Sequence, residues 1–131
     1  MKHYLAVVEK EPDSAFGIIF PDLPGCFSAS DTEETIMQNA VEALQLWAED
    51  QEPPAPAPHE DVVSYPEVGE ILKRGGYLIS VPLIDKDTAV VRANVTFERG
   101  VPQAIEETAR QRGITRSAFL ASAARKEIER S

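Results

Sequence analysis

Seven residues near the C-terminal end constrain this chain more than any other stretch. Within AVVRANVTFERG, Val91, Ala93, Val95 and Phe97 share one parity and Arg92, Asn94 and Thr96 the other, the period of two that marks a half-buried strand. Pro102 follows at the first turn of a helix predicted to run to about Arg112, with Val101, Ile105 and Ala109 on its apolar side and Gly113 as its stop. Ile114 is expected to turn back into the core. Thr115, or Ser117 if the start is later, then caps a second helix toward Ile128, striped by Phe119, Leu120, Ala123, Ala124 and Ile128. One strand and two helices, about 40 residues in all, leave ladder donors unpaired and apolar faces uncovered. A second copy supplies both needs: two strands pair antiparallel into a ribbon and four helices intertwine beneath it. A homodimer through this segment is the expectation.

The preceding 84 residues read differently. HYLAVVEK and AFGIIF are two strands, joined through PDSA closely enough for an antiparallel hairpin. PDLPGCFSASDT interrupts regular structure before a short extended piece over residues 26–29. A helix follows, capped by Ser30 or Asp31 with Glu33 or Glu34 closing a capping box, and Ile36, Ala40, Val41, Leu44, Trp47 and Ala48 form its apolar stripe. Glu34, Gln38, Glu42, Gln45 and Glu49 make the opposite, acidic face, read as the wet side of the helix with a partner surface as the alternative. The prolines of QEPPAPAPHED enforce an extended connection, PEVGEILKRGG is a short helix closed by Gly75 and Gly76, and YLISVPLI is a fourth strand with Pro82 near its end or at an edge. The fold class expected is α+β, with helices covering one face of a small, mostly antiparallel sheet.

Charge follows the same seam. The chain of 131 residues has a formal net charge of -9, yet residues 1–85 hold 16 Asp and Glu against 4 Lys and Arg, while residues 86–131 hold 9 Lys and Arg against 6 Asp and Glu. An acidic body joined to a basic tail suits two partners of opposite charge. Without an apolar run of about 18 residues or a signal-peptide core, no membrane is implied and a cytoplasmic location is expected. The lone Cys26 forms no internal disulfide, and with only His3 and His59 beside it no metal or other cofactor is expected. The carboxylates come from loops and a wet helix face, and Ser28 and Ser30 lack a neighbouring base, so no catalytic residue is assigned and the chain is not expected to be an enzyme. Cys26 and Trp47 are read as core.

The block FGIIFPDLPGCFSASDTEETIMQNAVEALQLWAED, with its PDLPGC turn and Asn-Ala-Val-Glu-Ala-Leu helix, resembles the N-terminal domain of the HicB antitoxins of type II toxin–antitoxin pairs. That resemblance implies a partial ribonuclease-H-like fold without nuclease activity, bound to a HicA toxin, a small RNA-cleaving protein of double-stranded-RNA-binding type. It assigns no toxin-binding residues. The tail resembles the ribbon-helix-helix repressors, one of the two tail types that HicB proteins carry. A two-stranded ribbon fits the major groove of DNA. Arg92 suits guanine, Asn94 adenine and Thr96 the thymine methyl, so these three are the expected base readers. The start of the last helix, Thr115, Arg116 and Ser117, is expected on a phosphate, with Arg99 adding a backbone contact.

The organisation expected is a toxin-binding domain over residues 1–84 and a ribbon-helix-helix domain for dimerisation and DNA binding over residues 85–131, with IDKDTA as the hinge. The function expected is an antitoxin that neutralises a HicA-like toxin and represses its own operon at double-stranded operator DNA, as a dimer or, through N-terminal contacts, a tetramer. The alternative is a ligand-responsive ribbon-helix-helix repressor without a toxin partner. His3, Cys26 and His59 are too scattered for a metal sensor of that kind.

Overall fold

β1 (His3–Lys10) is apolar at both parities, and that decides the layering. The computed structural model describes residues 1–84 and 91–130, so most of the expected hinge, and Val90 just before the expected strand, lie outside the described residues. The chain divides into two compact units, Met1–Lys86 and Asp87–Ser131.

In the first unit four antiparallel strands take the order β3-β2-β1-β4, where β2 is Phe16–Ile19, β3 Phe27–Ser30 and β4 Tyr77–Pro82. The expected β1–β2 hairpin is present, in register from Val7 opposite Ile19 to Lys10 opposite Phe16. Its loop places Asp13 at a φ of 60°, a left-handed position that a short polar side chain tolerates. β4 lies on the other flank of β1, from His3 opposite Pro82 to Val8 opposite Tyr77, so Pro82 ends an edge strand where a missing N–H costs no central ladder bond.

Tyr4, Ala6 and Val8 join Ile18 and Val81 beneath α1 (Ile36–Asp50), where Ile36, Ala40, Val41 and Leu44 of the expected stripe are buried. The other parity, Leu5 and Val7, meets Val62, Val68 and Ile71 from α2 (His59–Val63) and α3 (Pro66–Lys73). Helices therefore cover both faces of the sheet, not one. The reason lies in β1: with apolar side chains at both parities, a single layer of helices would leave one set wet, at about 1.5–3 kcal/mol for each large side chain. α2 is a second departure, because the extended proline stretch ends at Pro58 and the next five residues coil to bury Val62.

The expected capping box is not made. A 3-10 turn over Glu33–Thr35 precedes α1, neither has a side-chain cap bond, and the Ser30 hydroxyl instead donates to the Thr32 carbonyl at 2.6 Å. Three long-range bonds brace the connections. The Tyr4 hydroxyl donates to the Pro54 carbonyl at 2.6 Å, Tyr65 donates to Asp22 Oδ1 at 2.6 Å, and Trp47 Nε1 donates to the Pro24 carbonyl at 2.9 Å. Burial, seconded by the charge of Glu52, raises the pKa of Tyr4, while the Asp22 carboxylate that accepts the Tyr65 hydroxyl raises that of Tyr65.

In the second unit α4 (Val101–Arg112) has Pro102 in its first turn, buries Ile105 and Ala109, and ends at Gly113 with φ 68°. α5 (Arg116–Arg130) packs against it, with the Arg112 guanidinium 5.5 Å from the Phe119 ring centre, yet none of its residues is fully buried. Ile114, expected in the core, is exposed in the single chain, and Ala123 and Ala124 of the expected α5 stripe are exposed as well.

Candidate nucleic-acid and partner surfaces

A strand exists only where a ladder partner does. Residues 91–98 make no regular backbone ladder among the described residues, and all of them are exposed, including Val91 at 84% and Val95 at 66%. The half-burial expected for Val91, Ala93, Val95 and Phe97 is thus absent in the single chain. Within the second unit α4 and α5 pack on each other and leave them uncovered. Arg92, Asn94 and Thr96 are likewise exposed, within reach of a ligand.

The start of α5 is built as expected at one atom. Thr115 Oγ1 accepts the Ala118 N–H at 3.1 Å, and the Thr115 carbonyl accepts that of Phe119 at 3.0 Å. A helix opening at Arg116 leaves the next amides, those of Arg116 and Ser117, without intrahelical acceptors. Both residues are exposed, and the helix dipole there favours an anion.

In the first unit the sequence offered the acidic helix face but assigned no toxin-binding residues, and the structure adds exposed apolar side chains beside that face. The PDLPGC turn is closed by the Cys26 amide on the Leu23 carbonyl at 3.0 Å, with Pro24 and then Gly25 at φ 82°, the arrangement of a type II turn that favours glycine at its third position. Cys26 is buried under α1, where burial pushes its thiol from 9.0 up to about 11, which suits a packing role and not a nucleophile. The next residue, Phe27, is 71% exposed. On the outer face of α1, Leu46 is 57% exposed and stands between Glu42 and Asp50 at four-residue spacings. A groove of about 480 Å³ lies between them, walled by Trp47. The signal available in the sequence was Leu46 itself, an apolar residue out of phase with the buried stripe. Among the described residues no three His, Cys, Asp or Glu side chains gather to hold a metal ion, and no helix is long and apolar enough to cross a membrane.

An antiparallel four-stranded sheet with a PDLPGC turn, followed by a helical tail unit, defines the class in which comparisons place this chain. The model of the HicB-like antitoxins of bacterial toxin–antitoxin systems matches residues 4–124, and the chain belongs to that family. The antitoxin HicB of Burkholderia pseudomallei is similar over 95% of this chain and 96% of that one, at 28% identity and a TM-score of 0.56. A chain of a HicA3 and HicB3 toxin–antitoxin complex is 29% identical, with a TM-score of 0.51, over 61% of this chain and 95% of its own. The UPF0150 protein ssr1765 of Synechocystis sp. is 38% identical over 69 residues, 49% of this chain and 82% of that protein.

Proposed function

We propose that this chain neutralises a HicA-like, RNA-cleaving toxin through its first unit and represses its own operon through its second. The observation that carries the reading is the pairing of an acidic folded body with a basic unit whose polar-apolar stretch 91–97 stands uncovered beside two packed helices. An RNA-binding toxin is cationic, so a body with 16 carboxylates against 4 cations is suited to cover it.

In the second unit, dimerisation would pair residues 91–97 of two copies into a ribbon and cover Val91, Val95 and Phe97 against the helices. Arg92, Asn94 and Thr96 would then face outward into the major groove as base readers, and Thr115, Arg116 and Ser117 would hold a phosphate on each side. The cap bond supports the latter: the Thr115 hydroxyl accepts from Ala118 and keeps its own proton to donate.

Co-expression tests the whole reading. The neighbouring HicA-like protein should arrest growth alone, be harmless in company and co-purify with this chain. A neighbour that is neither toxic nor bound would leave a free-standing repressor with an unknown ligand. Arg92→Ala should weaken specific operator binding about 5- to 150-fold, the loss of one bidentate base contact of about 1–3 kcal/mol, without changing toxin neutralisation. Unchanged operator affinity would remove Arg92 from the readers.

A further inference from the structure

Two uncovered surfaces of the first unit meet at β3, the edge strand, and Phe27 lines both. On the α1 side is the groove with Leu46 and Trp47, bordered by Glu42 and Asp50. On the other side of the sheet, α3 packs over β1, and Ile19 of β2 and Phe27 of β3 stay exposed. There the exposed side chain of Ile19 stands opposite Phe27 in register, and Gly17 opposite Ala29 adds no bulk. This second hollow, about 500 Å³, has Glu67 as its charged wall. Neither hollow has a Lys or Arg among its lining residues.

An apolar centre ringed by charge of one sign has the anatomy of a protein interface, and an aromatic ring at its middle is the usual energetic anchor. We propose that the edge of the sheet centred on Phe27 and Leu46 is where the cationic toxin docks. The inference rests on the antitoxin reading and adds to it the contact surface that no motif supplies. Charge selects the occupant, because a second copy of this acidic unit would bring carboxylates against carboxylates, whereas a basic protein brings Lys and Arg to Glu42, Asp50 and Glu67. Side chains, not strand addition, make the contact: Asn39 Nδ2 already donates to the Ala29 carbonyl at 2.8 Å and occupies an acceptor of β3.

The test uses the full chain and the purified HicA-like toxin encoded beside it. Phe27→Arg and Leu46→Arg, both at exposed positions, should each weaken toxin binding at least about tenfold, and together they should abolish growth rescue. Operator binding and the melting curve should not move. Glu42→Lys with Asp50→Lys should slow association and flatten its salt dependence. If the wild-type chain binds and rescues but the Phe27→Arg, Leu46→Arg double variant does so within about threefold, the docking surface is overturned and the antitoxin reading stands. If the wild-type chain itself fails to bind the toxin, both are overturned.

Discussion

At the end of α3 the amide of Gly76 reaches back to the Ile71 carbonyl at 2.9 Å, while Gly75 takes a φ of 95° and bonds to Leu72 at 3.2 Å. This is a Schellman turn that leads directly into β4. A Cβ on Gly76 would lie 2.7 Å from the Val8 carbonyl oxygen and 2.8 Å from that of Ile71, and neither backbone atom can retreat without disturbing β1 or α3. Gly76→Ala should therefore lower stability by about 1–3 kcal/mol in thermal melts. Gly69→Ala, inside α3 with open space around it, should be neutral or stabilising by up to about 1 kcal/mol. Equal melting temperatures for the two variants would contradict this account. Cys26 gives a second residue-scale prediction. Its pKa is raised by burial, so the fold favours the thiol; that contribution is complete below about pH 9 and is lost as the pH climbs through about 11. Alkylation at pH 8 should be slow in the native protein and fast in urea, and rapid native labelling would contradict the burial. Cys26 and the α1 stripe were legible in the sequence, because a small apolar side chain after a turn and a 3.6-residue period each have one common outcome. Phe27 was not, since a four-residue strand does not say which of its parities another layer will cover.

Among elements, α5 depends on its first bond. Thr115→Ala removes the acceptor of the Ala118 N–H and should cost about 0.5–2 kcal/mol of helix stability, whereas Thr115→Ser should retain most of it. The readout is the melting transition of the second unit, followed by circular dichroism without DNA; indistinguishable transitions for Ala, Ser and Thr at this position would show that the cap is idle. The start of α1 shows why caps are harder to read than stripes. Ser30, expected as the cap, instead ends β3; Thr32 and Thr35 precede the two helical segments, and the Ser30 hydroxyl donates to the Thr32 carbonyl two residues on, a local competitor that a spacing rule does not weigh. α3 was expected as a helix, but α2 and the covering of the second face were missed in the same way. HYLAVVEK reads as one strand, yet its apolar residues at both parities already required two helical layers, and α2 hides immediately behind a proline run.

At the scale of the whole molecule the two units differ in what they lack. The first buries Tyr4, Phe20, Leu23 and Leu44 almost completely within one copy. Among its described residues the second buries only Ile105 and Ala109, leaves α5 without a buried residue, and exposes Val91, Val95 and Ile114. If the second unit pairs as proposed, its folding equilibrium includes protein concentration, and that of a first unit folded within one copy does not. Full-length protein should melt in two transitions, and only the transition belonging to the second unit should rise with concentration. Each tenfold increase is worth about 1.4 kcal/mol to a dimer. Phe119→Asp, at a half-buried position on α5, should depress that transition alone. Added salt should raise neither transition by more than it screens the repulsion among the acidic side chains of the first unit. If the second transition holds its temperature over about a hundredfold range of concentration, the exposed apolar residues are not a dimer surface, and the ribbon that Arg92, Asn94 and Thr96 need in order to enter a groove has no second strand.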